Sequence, residues 1–328
     1  MDYDDDGVLD IISGSYSPGD VYLIRGLGDG NYAAVESITD EEDTPLVHHP
    51  KEMKRHLDGS NEQSDELASF GSWVTPMDWD ADGDLDMLIG SFGGQIFLRK
   101  NVGTRKAPRY DSSSTQVIAD GKPLKVHSHA SPVAVDWNDD GLEDLVVGEG
   151  NGSVGWYQNI GTSKEPEFGA RRLLVGAPSD SIFLMQYLDP DEISVPGTRA
   201  QVCVYDYNGD GRLDLLVGDY STRIEIDDDW SDDKKAGLFA AFHQSAVGMK
   251  RYSAMQKDFA ERHIVALESG PEAVEALNLE FQKESEKLQK RNEKDFEPMG
   301  KKNMEVVDQL FMESPSVSKV WLYLRKPE

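Results

Sequence analysis

One pattern of 13 residues occurs four times in this chain, and it limits what the chain can fold into more than any other feature. The copies are DYDDDGVLDIISG (2–14), DWDADGDLDMLIG (78–90), DWNDDGLEDLVVG (136–148) and DYNGDGRLDLLVG (206–218). Each places an oxygen-bearing side chain at positions 1, 3 and 5, glycine at 6, aspartate at 9, a mainly apolar run at 10–12 and glycine at 13. Two carboxylates about 4 Å apart repel by about 4 kcal/mol at an effective dielectric near 20, so crowding them needs a compensating cation. A single copy could be an Asp-Gly turn joining two strands. Four copies with the same positions filled point to a metal.

The spacing suits calcium, a hard cation that takes six to eight oxygen ligands in a flexible loop. Alternate side chains in a tight loop converge on one point, and glycine at position 6 permits the backbone to turn around the ion. The carbonyls of position 7 (Val8, Asp84, Leu142 and Arg212) then face inward, and the aspartate at 9 closes the cage. An EF-hand would need a glutamate at position 12 and flanking helices. Position 12 is Ser13, Ile89, Val147 or Val217, and strand-like sequence follows, so the loops are not EF-hands.

The repetition runs past the loops. GSFGGQIFLRKNVGTRKAPRY (90–110) aligns without gaps to GEGNGSVGWYQNIGTSKEPEF (148–168), and GDVYLIRGLGDGNY (19–32) is a looser version. Short alternating or apolar segments, WVTPMDW, PVAVDW and QVCVYDY, stand at the later loops. The unit reads as strand, loop, strand, glycine turn, strand, loop and fourth strand. Such a unit cannot bury both faces alone, and radial stacking makes each copy a propeller blade.

With these residues in view, the chain resembles the FG-GAP/VCBS repeat family, to which the integrin α-subunit propeller belongs. The resemblance covers about 1–225 and the last dozen residues. It implies a mainly β fold, a β-propeller of about four recognisable blades with incomplete or permuted closure. It also implies up to four calcium ions. Carried over position by position, the ligands are Asp2, Asp4, Asp6 and Asp10 in the first loop and Asp78, Asp80, Asp82 and Asp86 in the second. The third loop offers Asp136, Asn138, Asp140 and Asp144, and the fourth Asp206, Asn208, Asp210 and Asp214. Asparagine lowers the ligand charge, so the last two sites are expected to bind more weakly than the second. Family members carry a signal peptide and a strand ahead of the first loop. Here the chain opens MDYDDDGVLD, with neither a basic nor an apolar region, so a start short of the family's N-terminus is expected, or else a C-terminal strand that fills the gap.

The expected organisation is propeller blades over 1–227, a helical insertion over 228–313, and a returning strand over 314–328 that completes the last blade. Helix-forming residues dominate 232–312, with helices read over 233–268, from Pro271 onward with Val274, Leu277, Phe281 and Leu288 on one face, and over 302–313. KVWLYLRK (319–326) resembles QIFLRK (95–100) and reads as the interrupted blade's third strand. A polar loop is expected over 40–70, with His48, His49 and His56 solvated. Cys203 alternates within a half-buried strand and reads as a core thiol. Trp73, Trp79, Trp137 and Trp156 lie in or beside repeated strands and loops, which reads as blade packing rather than a sugar-binding set.

A net charge of −28 argues against nucleic acid as a partner. No run approaches the ~20 apolar residues of a membrane span. No G-x-S-x-G, H-E-x-x-H, Walker A or C-x-x-C motif occurs, and the loop aspartates leave no separate acidic pair for catalysis. The function expected is a non-catalytic calcium-binding module, extracellular or periplasmic, that binds a protein or glycan in the manner of an adhesion domain; the helical insertion is expected to pack over the propeller as a lid or brace, with partner docking as its alternative role. The alternatives are a polysaccharide-acting enzyme and a lectin-like scaffold on the same fold.

Overall fold

A computed structural model of the chain describes residues 1–50, 71–177, 196–222, 271–296 and 316–325, together with positions 231, 251, 254–255, 258–259 and 262. Among these residues the chain is mainly β, in antiparallel sheets, with one long helix. It forms two compact units. One holds Met1–Pro178, Ile193–Tyr220 and Ser318–Glu328; the other holds Ser179–Glu192 and Ser221–Val317.

In the first unit every acidic loop feeds directly into a strand, because its apolar run has a partner on at least one side. The first sheet is β1 (Ile11–Gly14), β2 (Val21–Ile24) and β3 (Glu36–Ser37), in that order. The second runs β4 (Ser72–Met77), β5 (Asp86–Ser91), β6 (Ile96–Arg99) and β7 (Thr115–Gln116), followed by a small hairpin of β8 (Ile118–Ala119) and β9 (Lys122–Pro123). The third is β10 (Ser131–Val135), β11 (Asp144–Gly148), β12 (Val154–Tyr157) and β13 (Arg172–Val175). In the fourth, β14 (Thr198–Tyr205) pairs with β15 (Asp214–Thr222). After β16 (Ser316–Val317), which pairs with Ser221 and Thr222, β17 (Val320–Tyr323) joins the other edge of β15. The segment KVWLYLRK is therefore a strand of the fourth sheet, and it does not pair with β1 in the first.

The first sheet differs from the others. β5, β11 and β15 each lie between two strands, whereas β1 is an edge strand. Among the described residues, Met1 lies just ahead of it, exchanging backbone hydrogen bonds with Asp10 in the place that Met77 takes opposite Asp86.

Alternation along the strands assigns their faces to different neighbours. Leu88, Ile96 and Leu98 of the second sheet share an apolar layer with Leu145, Val147 and Tyr157 of the third. Met87 and Ile89 face the other way, onto Val21, Leu23 and Leu46. Val146 and Val154 pack with Leu215, Val217, Trp321 and Tyr323 of the fourth sheet. β5 and β11 are buried at every residue, as strands covered on both faces must be.

Each junction between sheets repeats one backbone device. A residue in left-handed conformation, Gly71, His129 or Arg199, begins the incoming strand, and its N–H bonds the glycine turn of the preceding sheet. The next N–H, from Ser72, Ala130 or Ala200, does the same at 3.0–3.1 Å. This close approach explains the glycine at motif position 13. A Cβ on Gly14, Gly90 or Gly148 would collide with the carbonyl of Ser72, Ala130 or Ala200. At Gly218 the nearest described atoms are those of Gln201, at 3.8 Å.

Two expectations are corrected. The segment after β3 is packed rather than solvated. Leu46, Val47 and His48 are buried, and His48 stacks on Phe97 at 5.8 Å. The cause is Arg99, fully buried, which donates to the Val47 and Asp111 carbonyls and pairs with Asp40 at 3.2 Å. His56 lies outside the described residues. Cys203 is exposed, because it points from β14 to the side of the fourth sheet on which no described strand packs.

The tryptophans serve packing. Trp79 meets Phe168 at 5.8 Å, Trp73 meets His129 at 5.4 Å, and Trp137 and Trp156 belong to the core between the third and fourth sheets. In the second unit, α1 (Pro271–Phe296) is the helix expected from Pro271. Leu277 is buried, Phe281 packs tilted against Phe259 at 4.3 Å, and Arg262 pairs with Glu280 at 2.6 Å. Positions 251, 254–255, 258–259 and 262 are helical; the rest of 233–268 and all of 302–313 lie outside the described residues. No described helix is long and apolar enough to cross a membrane.

Candidate metal centres

All four loops share one hydrogen-bond skeleton, built almost entirely from neighbours in sequence. The position 1 carboxylate accepts from the N–H of positions 5 and 6. Asp78 does so from Asp82 and Gly83, both at 3.1 Å. Asp2, Asp136 and Asp206 repeat this with Asp6 and Gly7, Asp140 and Gly141, and Asp210 and Gly211. The position 5 carboxylate (Asp6, Asp82, Asp140, Asp210) accepts from the N–H of Val8, Asp84, Leu142 or Arg212 at 2.8–3.0 Å. Position 6 is left-handed throughout, at Gly7, Gly83, Gly141 and Gly211, and so is position 4, at Asp5, Ala81, Asp139 and Gly209. Two left-handed residues in one tight loop fold the carboxylates toward a common centre.

Carboxylate oxygens of Asp2, Asp4 and Asp10 come within 4.8 Å of one another, and so do those of Asp78, Asp80 and Asp82. In the third and fourth loops asparagine takes the third position, and its amide turns inward: Asn138 donates to Asp140 at 2.8 Å and Asn208 to Asp210 at 3.2 Å. That bond holds the Asp140 carboxyl below its usual range.

The aspartate at position 9 has a role that the spacing did not disclose. Asp86 accepts from the N–H of Trp79 at 3.1 Å with one oxygen and from Asn101 at 2.7 Å with the other. Asp10 bridges Tyr3 and Gly26, and Asp214 bridges Tyr207 and Arg325. Asp144 holds Trp137 and Asn159, and also the Trp156 indole at 3.0 Å. All four are buried, and each ties its loop to the chain just past β2, β6, β12 or β17. Burial pushes the Asp86 carboxyl up to about 6, against the two N–H donors that favour its charge. The signal in the sequence was that position 9 never varies while position 3 does.

The adjoining N-[VI]-G-T segments are explained the same way. Asn101 accepts from Gly103 and Arg109, both at 2.9 Å, and Asn159 from Gly161 and Glu167, so one amide oxygen organises the loop that ends in the buried Tyr110 or Phe168.

A cation fits these residues. Oδ1 of Asp4, of Asp80 and of Asp84 is buried with no hydrogen-bond donor. An ionised carboxylate oxygen in that position is costly unless something positive meets it. Asp84 was expected to offer only its carbonyl, yet the residue is just 8% exposed. Burial raises its carboxyl above the usual range, and the neighbouring Asp82, Asp80 and Asp78 add to the rise.

The comparisons with known proteins agree with the repeat read from the loops. Residues 136–217 match the FG-GAP-like repeat family. The FG-GAP-like repeat so matched runs from the first aspartate of the third loop, through β11, β12 and β13 of the third sheet, to the apolar run that follows the fourth loop. The chain is also 27% identical over 201 residues to cartilage acidic protein 1 of Xenopus tropicalis. That alignment takes in 59% of this chain and 28% of the relative, so the chain spans under a third of that protein's length.

Proposed function

We propose that this chain is a non-catalytic, calcium-stabilised module of FG-GAP-like repeats, in which the four sheets act as propeller blades and the acidic loops hold up to four calcium ions. One observation carries the reading: in the second loop the aspartates converge on a backbone already turned to receive an ion, and a buried Asp84 oxygen lacks a donor. A site with six or more oxygen ligands satisfies those groups together. Calcium would offset part of the loop's negative charge and lock the position 9 clamp, and the chain's own residues bind and orient it.

The module acts outside the cytoplasm, in the extracellular space or the periplasm, as a surface for a protein or glycan. Loops of this kind fill best where calcium is abundant, and the resemblance to a cartilage acidic protein is in keeping with an acidic module outside the cell. Thermal unfolding in about 1 mM calcium against excess chelator, with magnesium as control, tests the reading. Calcium alone should raise the midpoint. Asp82→Ala should remove part of that rise, while Asp5→Ala, at a half-exposed side chain beside Lys106, should leave it intact. Equal behaviour of the two variants would overturn the ligand assignment.

A further inference from the structure

The four loops differ in one correlated pair of positions. The N–H donors that clamp the position 9 aspartates belong to Gly26, Asn101, Asn159 and Arg325, and the residues just before them are Arg25, Lys100, Gln158 and Leu324. These four side chains therefore occupy the same place in their sheets. Where position 3 is aspartate, the place holds a cation that bonds it: Arg25 donates to Asp4, and Lys100 donates to Asp80. Where position 3 is asparagine, the place holds Gln158, which reaches Asp140 at 3.4 Å, or the half-exposed Leu324.

We propose that Lys100 and Arg25 are tethered counter-ions. They meet the position 3 carboxylate while the loop holds no divalent ion, and calcium must displace them to enter. This rests on the calcium reading above. The ammonium brings one positive charge to a loop with carboxylates at Asp78, Asp80, Asp82, Asp84 and Asp86, so it relieves the repulsion only in part. It engages Oδ2 of Asp80 and leaves Oδ1 free, and its flexible stem is 47% exposed, which gives it a path out. Arg25 is held more firmly, since its Nε also donates to Glu36 at 2.7 Å. Loops one and two thus gain stability without the ion and lose affinity for it. Counting carboxylates alone then overstates their advantage over loops three and four.

The test uses the full chain, calcium chloride as the probe, titration calorimetry, and melting in chelator and in calcium. Lys100→Gln, which installs the residue of the third loop, should melt lower in chelator and bind calcium at one site at least threefold tighter; adding Asp82→Ala should abolish that gain, which assigns it to the second loop. Lys100→Met keeps the stem and removes the charge, and should behave alike. Conversely, adding Leu324→Lys to Asn208→Asp should raise the chelator midpoint and weaken one site relative to Asn208→Asp alone. If the parent chain neither binds calcium nor shifts its midpoint, the calcium reading falls and the tether with it. If the parent binds and the Lys100 variants leave affinity and chelator midpoint unchanged, or bind more weakly, the tether is overturned and the calcium reading stands.

Discussion

The second and fourth repeats carry the same thirteen-residue pattern and live in different surroundings. DMLIG in β5 is buried at every position, with a sheet on each face, whereas β15 has a covered face (Leu215, Val217) and a face on which Leu216 is only partly buried. Val320 and Leu322 of β17 are exposed at 72% and 41%; their counterparts in β6, Ile96 and Leu98, are buried. A motif therefore specifies a strand, a loop and a strand. Whether the product is core or surface is decided by what arrives from elsewhere in the chain.

Substitutions at matched positions can break this comparison. The largest effect is expected at Asp40, which serves Arg99 of the second repeat; Tyr323 takes the place of Arg99 in the fourth. Asp40→Ala strands a fully buried guanidinium and should cost about 3–5 kcal/mol in denaturant unfolding, and a loss below about 1 kcal/mol would show that the pair is not buried in solution. Next, Leu88→Ala should cost about 3 kcal/mol, and Leu216→Ala less than about half of that. Equal losses would mean that something covers the outer side of β15.

The position 13 glycines sharpen the point. Gly90→Ala drives a methyl into the Ala130 carbonyl and should cost about 2 kcal/mol or more, while Gly218→Ala should fall within about 0.5 kcal/mol. A large loss at Gly218 would reveal a backbone against it.

The smallest expected effect is a pH dependence at the junction of the second and third sheets. His129 takes the left-handed place that Gly71 and Arg199 fill in neighbouring repeats, and burial, then the Arg199 charge, pull its imidazole down to about 4. The folded chain keeps it neutral while the unfolded chain protonates it near pH 6.5, so stability is present at neutral pH and declines as pH falls from about 6.5 toward 4. Between about pH 7 and 5.5 the loss should be about 1 kcal/mol, and it should vanish in His129→Gln.

Much of the β architecture was legible. The apolar runs after the loops are strands, QIFLRK and SVGWYQN contain β6 and β12, and KVWLYLRK contains β17 although about 100 residues separate it from its partner β15. Pattern reading succeeded there because alternation is a local property and the copies could be compared. It failed at His48 and Cys203. His48 sits in a polar stretch, but Arg99, some 50 residues on, reaches over and donates to the carbonyl of Val47 beside it. Cys203 alternates correctly, yet alternation names two faces without saying which is covered. The tethers and the Asp84 side chain were equally hidden: the spacing offered Asp84 only as a carbonyl ligand, and only the fold buries its side chain and brings Lys100 to Asp80.

By itself, the sequence determined the loops. The bonds internal to each loop run between residues no more than seven apart, through short side chains and left-handed turns, so thirteen residues carry the instructions for the loop's own turn. Tertiary structure alone decided which strand faces are core, which glycines are crowded and which loops receive a cation. Those outcomes depend on groups at least fifteen positions away in the chain, and their approach is set by the stacking of whole sheets.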